Sequence, residues 1–233
     1  MTITLVTGGN KGLGRETARR LIQSGHTVYI GARDAERGRE AAKELGAELL
    51  LLDVTDDNSV ITAVEELRRR EGRLDVLVNN AGVFEGMVNA EQATADHVRA
   101  VFDVNVVGLV RVTHAFLPLL KESPSPVIVN VSSGLGSFGV VTDPQRPESH
   151  YVTPVYSAAK AAVNMLTVQL AKGLPDIRVN SVEPGFSATD LHGLSGHGIQ
   201  TPEEGAEAIV RHAMIGSDGP TGTFADREAV LPW

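Results

Sequence analysis

The sequence contains no cysteine among its 233 residues. Disulfide bonds, thiolate metal ligands and a catalytic thiol are therefore excluded. Aromatic residues make up only 4% of the chain, and the formal net charge is −8. A nucleic-acid partner would favour a basic face, so we expect none. We find no apolar run approaching a membrane span, and the chain opens directly on a strand pattern, so we expect a cytoplasmic protein with no membrane partner.

Short apolar runs alternate along the chain with amphipathic or alanine-rich stretches. The runs are continuous, which is typical of strands buried on both faces of a parallel sheet. They predict strands at 2–7, 27–31, 48–53, 74–79, 126–132, 177–182 and near 221–225. The intervening stretches predict helices near 13–24, 34–45, 56–71, 92–120, 155–173 and 202–212, the last opened by the helix-start signal Thr201-Pro202-Glu203-Glu204. We therefore expect an α/β fold in one domain, 1–233: a doubly wound parallel sheet (Rossmann fold) of about seven strands with helices on both faces.

The first predicted strand runs into a glycine-rich turn, VTGGNKGLGRE, that opens the first predicted helix. Gly8, Gly12 and Gly14 lie in this turn. Glycine permits tight turning and a close backbone approach to a pyrophosphate, which then sits at a helix N-terminus. The spacing departs from G-x-G-x-x-G, but the position between a first strand and a first helix favours a dinucleotide site over an ordinary turn.

Further short motifs follow in order, each at a strand end or a helix start. They are Asn-Asn-Ala-Gly at 79–82, the pair Ser132 and Ser133, Tyr156 four residues before Lys160, and Pro184-Gly185. Residues four apart on a helix share one face, so the tyrosine and the lysine belong together. The ordered set resembles the short-chain dehydrogenase/reductase family over essentially the whole chain. The segments TGGNKGLG and ARD are most similar to its carbonyl-reductase branch.

The resemblance implies four catalytic residues. Ser133 would donate to the substrate oxygen, with Ser132 as the competing assignment, and Tyr156 would act as the acid/base. A tyrosine has a pKa of about 10, and a cation about 4 Å away is worth on the order of 4 kcal/mol at an effective dielectric of 20. Lys160 therefore lies where a catalytic tyrosine needs a positive charge. Asn105 would position a water against the lysine.

The resemblance also implies the cofactor contacts. Asp53 would contact the adenine, although it could equally be an ordinary acid near a helix start. Asn79 would tie strands together, and the backbone after it would pass near the ribose. The full set of expected contacts is Gly8, Asn10, Lys11, Gly12, Leu13, Gly14, Arg33, Asp53, Val54, Asn80, Ala81, Gly82, Tyr156, Lys160, Pro184, Gly185 and Thr189.

The residues after the second predicted strand bear on the choice of dinucleotide. A fold that prefers NAD usually has an acidic residue there, which binds the ribose 2′-hydroxyl. Here Arg33 follows the strand, and Lys11 adds a second positive charge in the glycine loop. Both suit a 2′-phosphate, so we expect NADP(H) to be favoured over NAD(H), unless the two are only solvated surface charges. Asp34 leaves an alternative open, because it could accept a ribose hydroxyl if the strand ended one residue later.

Two irregular regions follow strand ends, where open α/β sheets bind their ligands. The first is an insertion at about 134–154, in which Phe138, Val140, His150 and Tyr151 are expected to flank the pocket mouth. The second, at about 186–200, has the glycine content of a substrate lid. It contains His192 and His197, but with no cysteine and no matching carboxylate spacing we expect no metal.

Taken together, the motifs predict NADPH-dependent reduction of a ketone, aldehyde or quinone. NAD-dependent oxidation of alcohols on the same fold is the alternative, and a non-catalytic NADP-sensing binding protein is a further one. The expected partner is a small-molecule carbonyl or alcohol. The sequence leaves the substrate's identity open, and it does not distinguish a monomer from a homo-oligomer.

Overall fold

The computed structural model describes residues 1–84, 86–186 and 200–233. Within these residues one parallel sheet has seven strands: β1 (Ile3–Thr7), β2 (Thr27–Ala32), β3 (Glu48–Leu51), β4 (Val76–Asn79), β5 (Val127–Val131), β6 (Arg178–Val182) and β7 (Phe224–Ala225). Their order across the sheet is β3-β2-β1-β4-β5-β6-β7, and every neighbouring pair is parallel. The expected doubly wound Rossmann fold is confirmed.

Helices cover both faces of the sheet. They are α1 (Gly12–Gln23), α2 (Ala35–Leu45), α3 (Asp57–Glu71), α4 (Ala95–Phe102), α5 (Gly108–Lys121), α6 (Phe138–Val141), α7 (Pro154–Gly173) and α8 (Pro202–Ala213), with short 3₁₀ turns at Gly134–Gly136 and Pro147–His150. The helix-start signal before α8 is confirmed. Thr201 and Glu204 form a reciprocal capping box there, and Pro202 occupies the first turn.

Successive strand residues point to opposite faces, which gives the sheet two apolar layers. Leu5 of β1 packs in the layer that contains Phe116 of α5, whereas the next residue, Val6, packs in the layer that contains Ile209 of α8. Both strand residues are fully buried. The continuous apolar runs of the sequence therefore correspond to strands covered on both sides.

The helical stretch predicted near 92–120 is present at Ala95–Lys121, but it is not regular throughout. A π-helical segment, Asp103–Val107, separates α4 from α5. Such segments are rare and occur frequently at functional sites. This one carries Asn105, which is buried.

The same helical stretch, Ala95–Lys121, is long and apolar enough to cross a membrane, judged by length and composition alone. It is not an unbroken apolar run, because Asp103 and Arg111 interrupt it. Core helices of α/β proteins pass the same test, and Val112, Phe116 and Leu120 of this stretch are buried in the layer against the sheet.

Candidate active site

The carboxyl ends of six neighbouring strands surround one large cavity. It has a volume of about 390 Å³ and is lined from the ends of β3, β2, β1, β4, β5 and β6 and from α7. The strand order reverses between β1 and β4, and open α/β sheets bind their ligands at this kind of switch point.

The glycine loop forms one wall of the cavity. Gly8 has a left-handed φ of 63°. A Cβ at Gly14 would lie 2.4 Å from Asn80 Nδ2 and 2.5 Å from the Gly8 carbonyl oxygen, so no side chain fits there. Helix α1 begins in this loop with no side-chain cap and no acidic residue in its first turn. Its N-terminal N–H groups and dipole therefore fit an anion such as a pyrophosphate. Asn10, Lys11, Gly12 and Leu13 also line this wall.

Thr7 and Asn80 fix the glycine loop against the end of β4. The Thr7 hydroxyl accepts the backbone N–H groups of Asn80 and Ala81, at 2.9 and 3.0 Å. In return, Asn80 Nδ2 donates to the Thr7 carbonyl oxygen at 2.8 Å. Asn79 instead donates to Asn130 of β5 and Thr113 of α5, at 2.9 and 3.0 Å. The side chain of Asn80 thus shapes the cavity wall, and that of Asn79 ties the sheet to a helix.

Two basic side chains line the cavity where β2 ends. Arg33 lines it and is exposed, and Lys11 lines the same cavity from the glycine loop. Strand β2 does end one residue later than predicted, at Ala32. Nevertheless, Asp34 caps α2, since its Oδ1 accepts the N–H groups of Glu36 and Arg37 at 3.0 Å each. The strand thus ends where the Asp34 alternative requires, but one oxygen of the Asp34 carboxylate caps α2, and Asp34 does not line the cavity.

Asp53 and Val54 follow β3 and line the same end. Asp53 Oδ1 accepts both the N–H and the hydroxyl of Thr55, at 2.9 and 2.7 Å. Burial raises the pKa of Asp53, but the Thr55 hydrogen bonds and the charges of Arg33 and Arg111 lower it overall. The carboxylate is therefore ionised and already serves the turn at the strand end.

The two serines after β5 have different environments. Ser132 is buried, and its hydroxyl donates to the Lys160 carbonyl oxygen at 3.3 Å, so it holds the strand end against α7. Ser133 is half-buried, and its Oγ accepts the Leu135 N–H at 3.2 Å at the start of a 3₁₀ turn. The geometry favours Ser133 over Ser132 as the serine available to a substrate.

Tyr156 and Lys160 lie in the first half of α7 and line the cavity, with 3% and 6% of their surfaces exposed. The Lys160 Nζ lies 5.5 Å from the centre of the Tyr156 ring and donates to the Val131 carbonyl oxygen at 2.8 Å. Burial lowers the pKa of Lys160 to about 8, an effect that the negative charge of Glu183 opposes. Phe84 packs edge-on against the tyrosine, with ring centres 5.2 Å apart.

Asn105 connects the π-helical segment to the loop after β4. Its Oδ1 accepts the Val83 N–H at 2.8 Å, and its Nδ2 donates to the Val83 carbonyl oxygen at 2.9 Å. A Cβ at Gly82 would lie 3.4 Å from this Oδ1 and 3.9 Å from Lys160 Nζ. The asparagine and the lysine are therefore brought to the two sides of one small space.

Glu183 is a cavity residue that the sequence interpretation missed. It follows β6 directly, is 7% exposed and lines the cavity together with Pro184 and Gly185. Burial, reinforced by the negative charge of Glu148, raises its pKa to about 8, despite opposing effects of its hydrogen bonds and of Lys160. The available signal was a carboxylate placed directly before Pro-Gly at a strand end.

The insertion contributes less to the cavity than expected. Phe138, Val140, His150 and Tyr151, which are predicted to flank the pocket mouth, do not line the cavity itself. Tyr151 packs on Phe186, with ring centres 4.9 Å apart, and Phe186 does line the cavity.

The start of the insertion contacts the last residues of the chain. The hydroxyl of Ser137 donates to the carbonyl oxygen of Pro232, and the N–H of Gly139 donates to that of Trp233. Thr189, His192, His197 and most of the expected lid lie outside the described residues.

The sheet order and the cavity at its switch point define a Rossmann-fold protein. The model of the short chain dehydrogenase family matches residues 2–198. The chain belongs to this family, whose members are oxidoreductases that use NAD(P) and act on alcohol and carbonyl groups.

Relatives of known name are similar over nearly the whole chain. The short-chain dehydrogenase anuI of Penicillium roqueforti is 36% identical, over 98% of this chain and 95% of that protein. The (+)-neomenthol dehydrogenase of Arabidopsis thaliana is 32% identical, over 97% and 96%. The crystal structure of NADPH-bound carbonyl reductase from chicken fatty liver superimposes with a TM-score of 0.87 at 25% identity and full coverage of both chains.

Proposed function

We propose that the protein is an NADPH-dependent reductase of small-molecule carbonyl compounds, with ketones, aldehydes and quinones as the substrate class. One observation carries the proposal: Ser133, Tyr156 and Lys160 line one part of the same cavity whose other parts are the glycine loop and Arg33. A nucleotide bound along this wall would bring its reactive end to the three side chains. The named relatives, a neomenthol dehydrogenase and an NADPH-bound carbonyl reductase, support this class of reaction.

The preference for NADP(H) rests on charge. Arg33 and Lys11 bring two positive charges to the cavity, whereas Asp34, the residue after Arg33, does not line it and caps α2 with its Oδ1. A guanidinium suits a 2′-phosphate. The Asp53 carboxylate lines the same end of the cavity, but its Oδ1 already accepts two hydrogen bonds from Thr55. We therefore favour NADP(H) over NAD(H).

The proposed roles follow from the positions of the side chains. When bound, the dinucleotide supplies the hydride. Ser133 and Tyr156 donate hydrogen bonds to the carbonyl oxygen, and Tyr156 gives its proton to the alkoxide that develops there. Lys160 holds a positive charge beside the phenol, which lowers the pKa of Tyr156. In the oxidative direction the same phenol, as phenolate, accepts the proton.

Asn105 supports the lysine in this scheme. It fixes Val83 with both atoms of its amide, and its Oδ1 borders the small space near Lys160 Nζ. A water in that space would link the lysine to the asparagine and replace the proton that Tyr156 loses.

A panel of aldehydes, ketones and quinones, followed by the loss of NADPH absorbance, tests the proposal. We expect turnover with at least one class and a lower kcat/KM with NADH than with NADPH. Tight NADPH binding without turnover across the panel in either direction would favour the NADP-sensing alternative. Faster alcohol oxidation with NAD than any carbonyl reduction with NADPH would favour the dehydrogenase alternative.

A further inference from the structure

We propose that Asn164 is a positioning residue for Ser133, because it holds the turn that begins at this serine against helix α7. The same helix carries Tyr156 and Lys160. The inference rests on the proposed function, since it concerns the spacing of two side chains, Ser133 and Tyr156, that are proposed to donate to one carbonyl oxygen. Asn164 belongs to none of the motifs of the sequence and does not line the cavity.

Asn164 lies on the face of α7 that meets the site. Tyr156, Lys160 and Asn164 succeed one another at intervals of four residues, so each side chain lies beside the next along the helix. Asn164 is 4% exposed. A buried amide group is costly unless its polar atoms are hydrogen-bonded, and its partners therefore show what it does in the fold.

Both polar atoms of the Asn164 amide group have partners outside α7. Its Nδ2 donates to the Gly136 carbonyl oxygen at 3.2 Å, and its Oδ1 accepts the Ser181 hydroxyl at 3.0 Å. The amide group therefore joins α7 both to the 3₁₀ turn Gly134–Gly136 and to β6. Because β6 fixes one side of the amide group, the N–H that faces Gly136 has a set direction.

The 3₁₀ turn transmits this contact to Ser133. The Gly136 N–H donates to the Ser133 carbonyl oxygen at 2.9 Å, and the Leu135 N–H donates to Ser133 Oγ at 3.2 Å. The turn also packs directly on α7, since a Cβ at Gly136 would lie 2.4 Å from the carbonyl carbon of Lys160. The turn is thus closed on the serine at one end and tied to the helix at the other, so the Gly136 contact sets where the serine hydroxyl lies.

Other contacts hold the helix and the turn separately when Asn164 is absent. Lys160 Nζ donates to the Val131 carbonyl oxygen at 2.8 Å, which ties α7 to the end of β5. The Gly134 N–H donates to the Glu183 carboxylate, which ties the turn to the end of β6. Loss of Asn164 should therefore leave both elements folded and change the spacing between the serine turn and α7.

Substitution of Asn164, with Thr167→Val as the matched control, tests the inference. Asn164→Ala should lower kcat about ten- to hundredfold, because a displaced serine no longer meets the substrate oxygen, and should leave the Kd for NADPH within about twofold. Thr167→Val removes a different buried hydrogen bond of α7, which Asn130 Nδ2 donates to the Thr167 hydroxyl at 2.9 Å. It should leave kcat within about twofold. Equal losses of kcat in the two variants would overturn the inference.

Asn164→Leu is the second variant, because leucine has the branching of asparagine and leaves no cavity. We expect it to fold even if the alanine variant does not, and to show the same loss of kcat, since it has no N–H for Gly136. Wild-type kcat in this variant would contradict the proposal. In the Ser133→Ala background the same substitution should cost less than about threefold, because the serine through which Asn164 acts is gone. An equal loss in both backgrounds would also overturn the inference.

Hydrogen–deuterium exchange of the turn needs no turnover. The N–H groups of Gly136 and Ser137 donate within the turn, to the carbonyl oxygens of Ser133 and Gly134. They should exchange about tenfold faster in Asn164→Leu than in the wild type, and at the wild-type rate in Thr167→Val. If no carbonyl is reduced but exchange rises as expected, the proposed function fails and the hold of Asn164 on the serine turn stands. If carbonyls are reduced but Asn164→Leu matches the wild type in exchange and kcat, only the inference about Asn164 fails.

Discussion

A single methyl group at position 14 would crowd the packing of α1 against the glycine loop and Asn80. In Gly14→Ala the new Cβ would lie 2.4 Å from Asn80 Nδ2 and 2.5 Å from the Gly8 carbonyl oxygen. Neither neighbour can withdraw cheaply. Gly8 is backbone, and the Asn80 amide holds the Thr7 carbonyl oxygen at 2.8 Å.

The expected cost follows from this crowding. Overpacking a tight site costs about 1–3 kcal/mol, and a displaced Asn80 hydrogen bond adds about 1 kcal/mol. The sum is about 2–4 kcal/mol, and a loss near 3 kcal/mol would lower the Tm by roughly 6–12 °C in a chain of this size. Since the loop and the start of α1 form the anion-binding wall, the Kd for NADPH should rise about tenfold or more.

Thermal unfolding and fluorescence titration with NADPH measure the two effects, with Gly173→Ala as the matched control. Gly173 ends α7, and an added Cβ there would meet nothing within 4 Å. That variant should bind NADPH normally and be as stable as the wild type, or up to about 1 kcal/mol more stable, because alanine has the higher helix propensity. Wild-type Kd and Tm in Gly14→Ala would refute the description of the glycine loop.

Three further predictions concern single side chains. Tyr156→Phe should keep the Kd for NADPH and lower kcat about a hundredfold to ten-thousandfold, and near-normal turnover would remove Tyr156 from the mechanism. Arg33→Asp should weaken NADPH binding about tenfold or more relative to NADH binding. Arg39→Asp makes the same charge change at an exposed position that does not line the cavity, and it should leave the ratio of the Kd values for NADPH and NADH unchanged. Although burial acts in the opposite direction, hydrogen bonds from a backbone N–H, a serine and an arginine lower the pKa of Asp75. Its stabilising contribution is therefore present above about pH 4 and is lost as the pH falls through the lower pKa of the folded state. Asp75→Asn should lower the urea midpoint at pH 7 and make that midpoint depend less on acid pH. An unchanged midpoint would contradict this.

The strands and most helices could be predicted because their signals are local. Continuous apolar runs mark strands covered on both faces, and capping residues such as Thr201 mark helix starts. The π-helical segment could not be predicted, since Asn105 holds both polar groups of Val83, which is 22 positions away in the sequence. Such a contact leaves no periodic trace along the helix.

The expected site residues come together to different degrees. The glycine loop, Ser133, Tyr156 and Lys160 line one cavity, because each lies at the carboxyl edge of the same sheet. Asp34 shows the limit of counting along a strand. Strand β2 ends where the alternative required, yet the carboxylate is occupied by the N-cap of α2, a choice that depends on the helix that follows.

Glu183 shows why a side chain can escape motif-based interpretation. In the sequence it is one acidic residue before Pro-Gly, and its hydrogen-bond partner Gly134 lies 49 positions away. Only the pairing of β5 with β6 brings the serine turn and the Pro184–Gly185 turn to the same carboxyl group. Because the group touches both turns, its loss could act through the substrate side or through the backbone near the dinucleotide. The two routes are separable: the first lowers kcat at an unchanged Kd for NADPH, whereas the second raises that Kd even when Ser133 has been replaced.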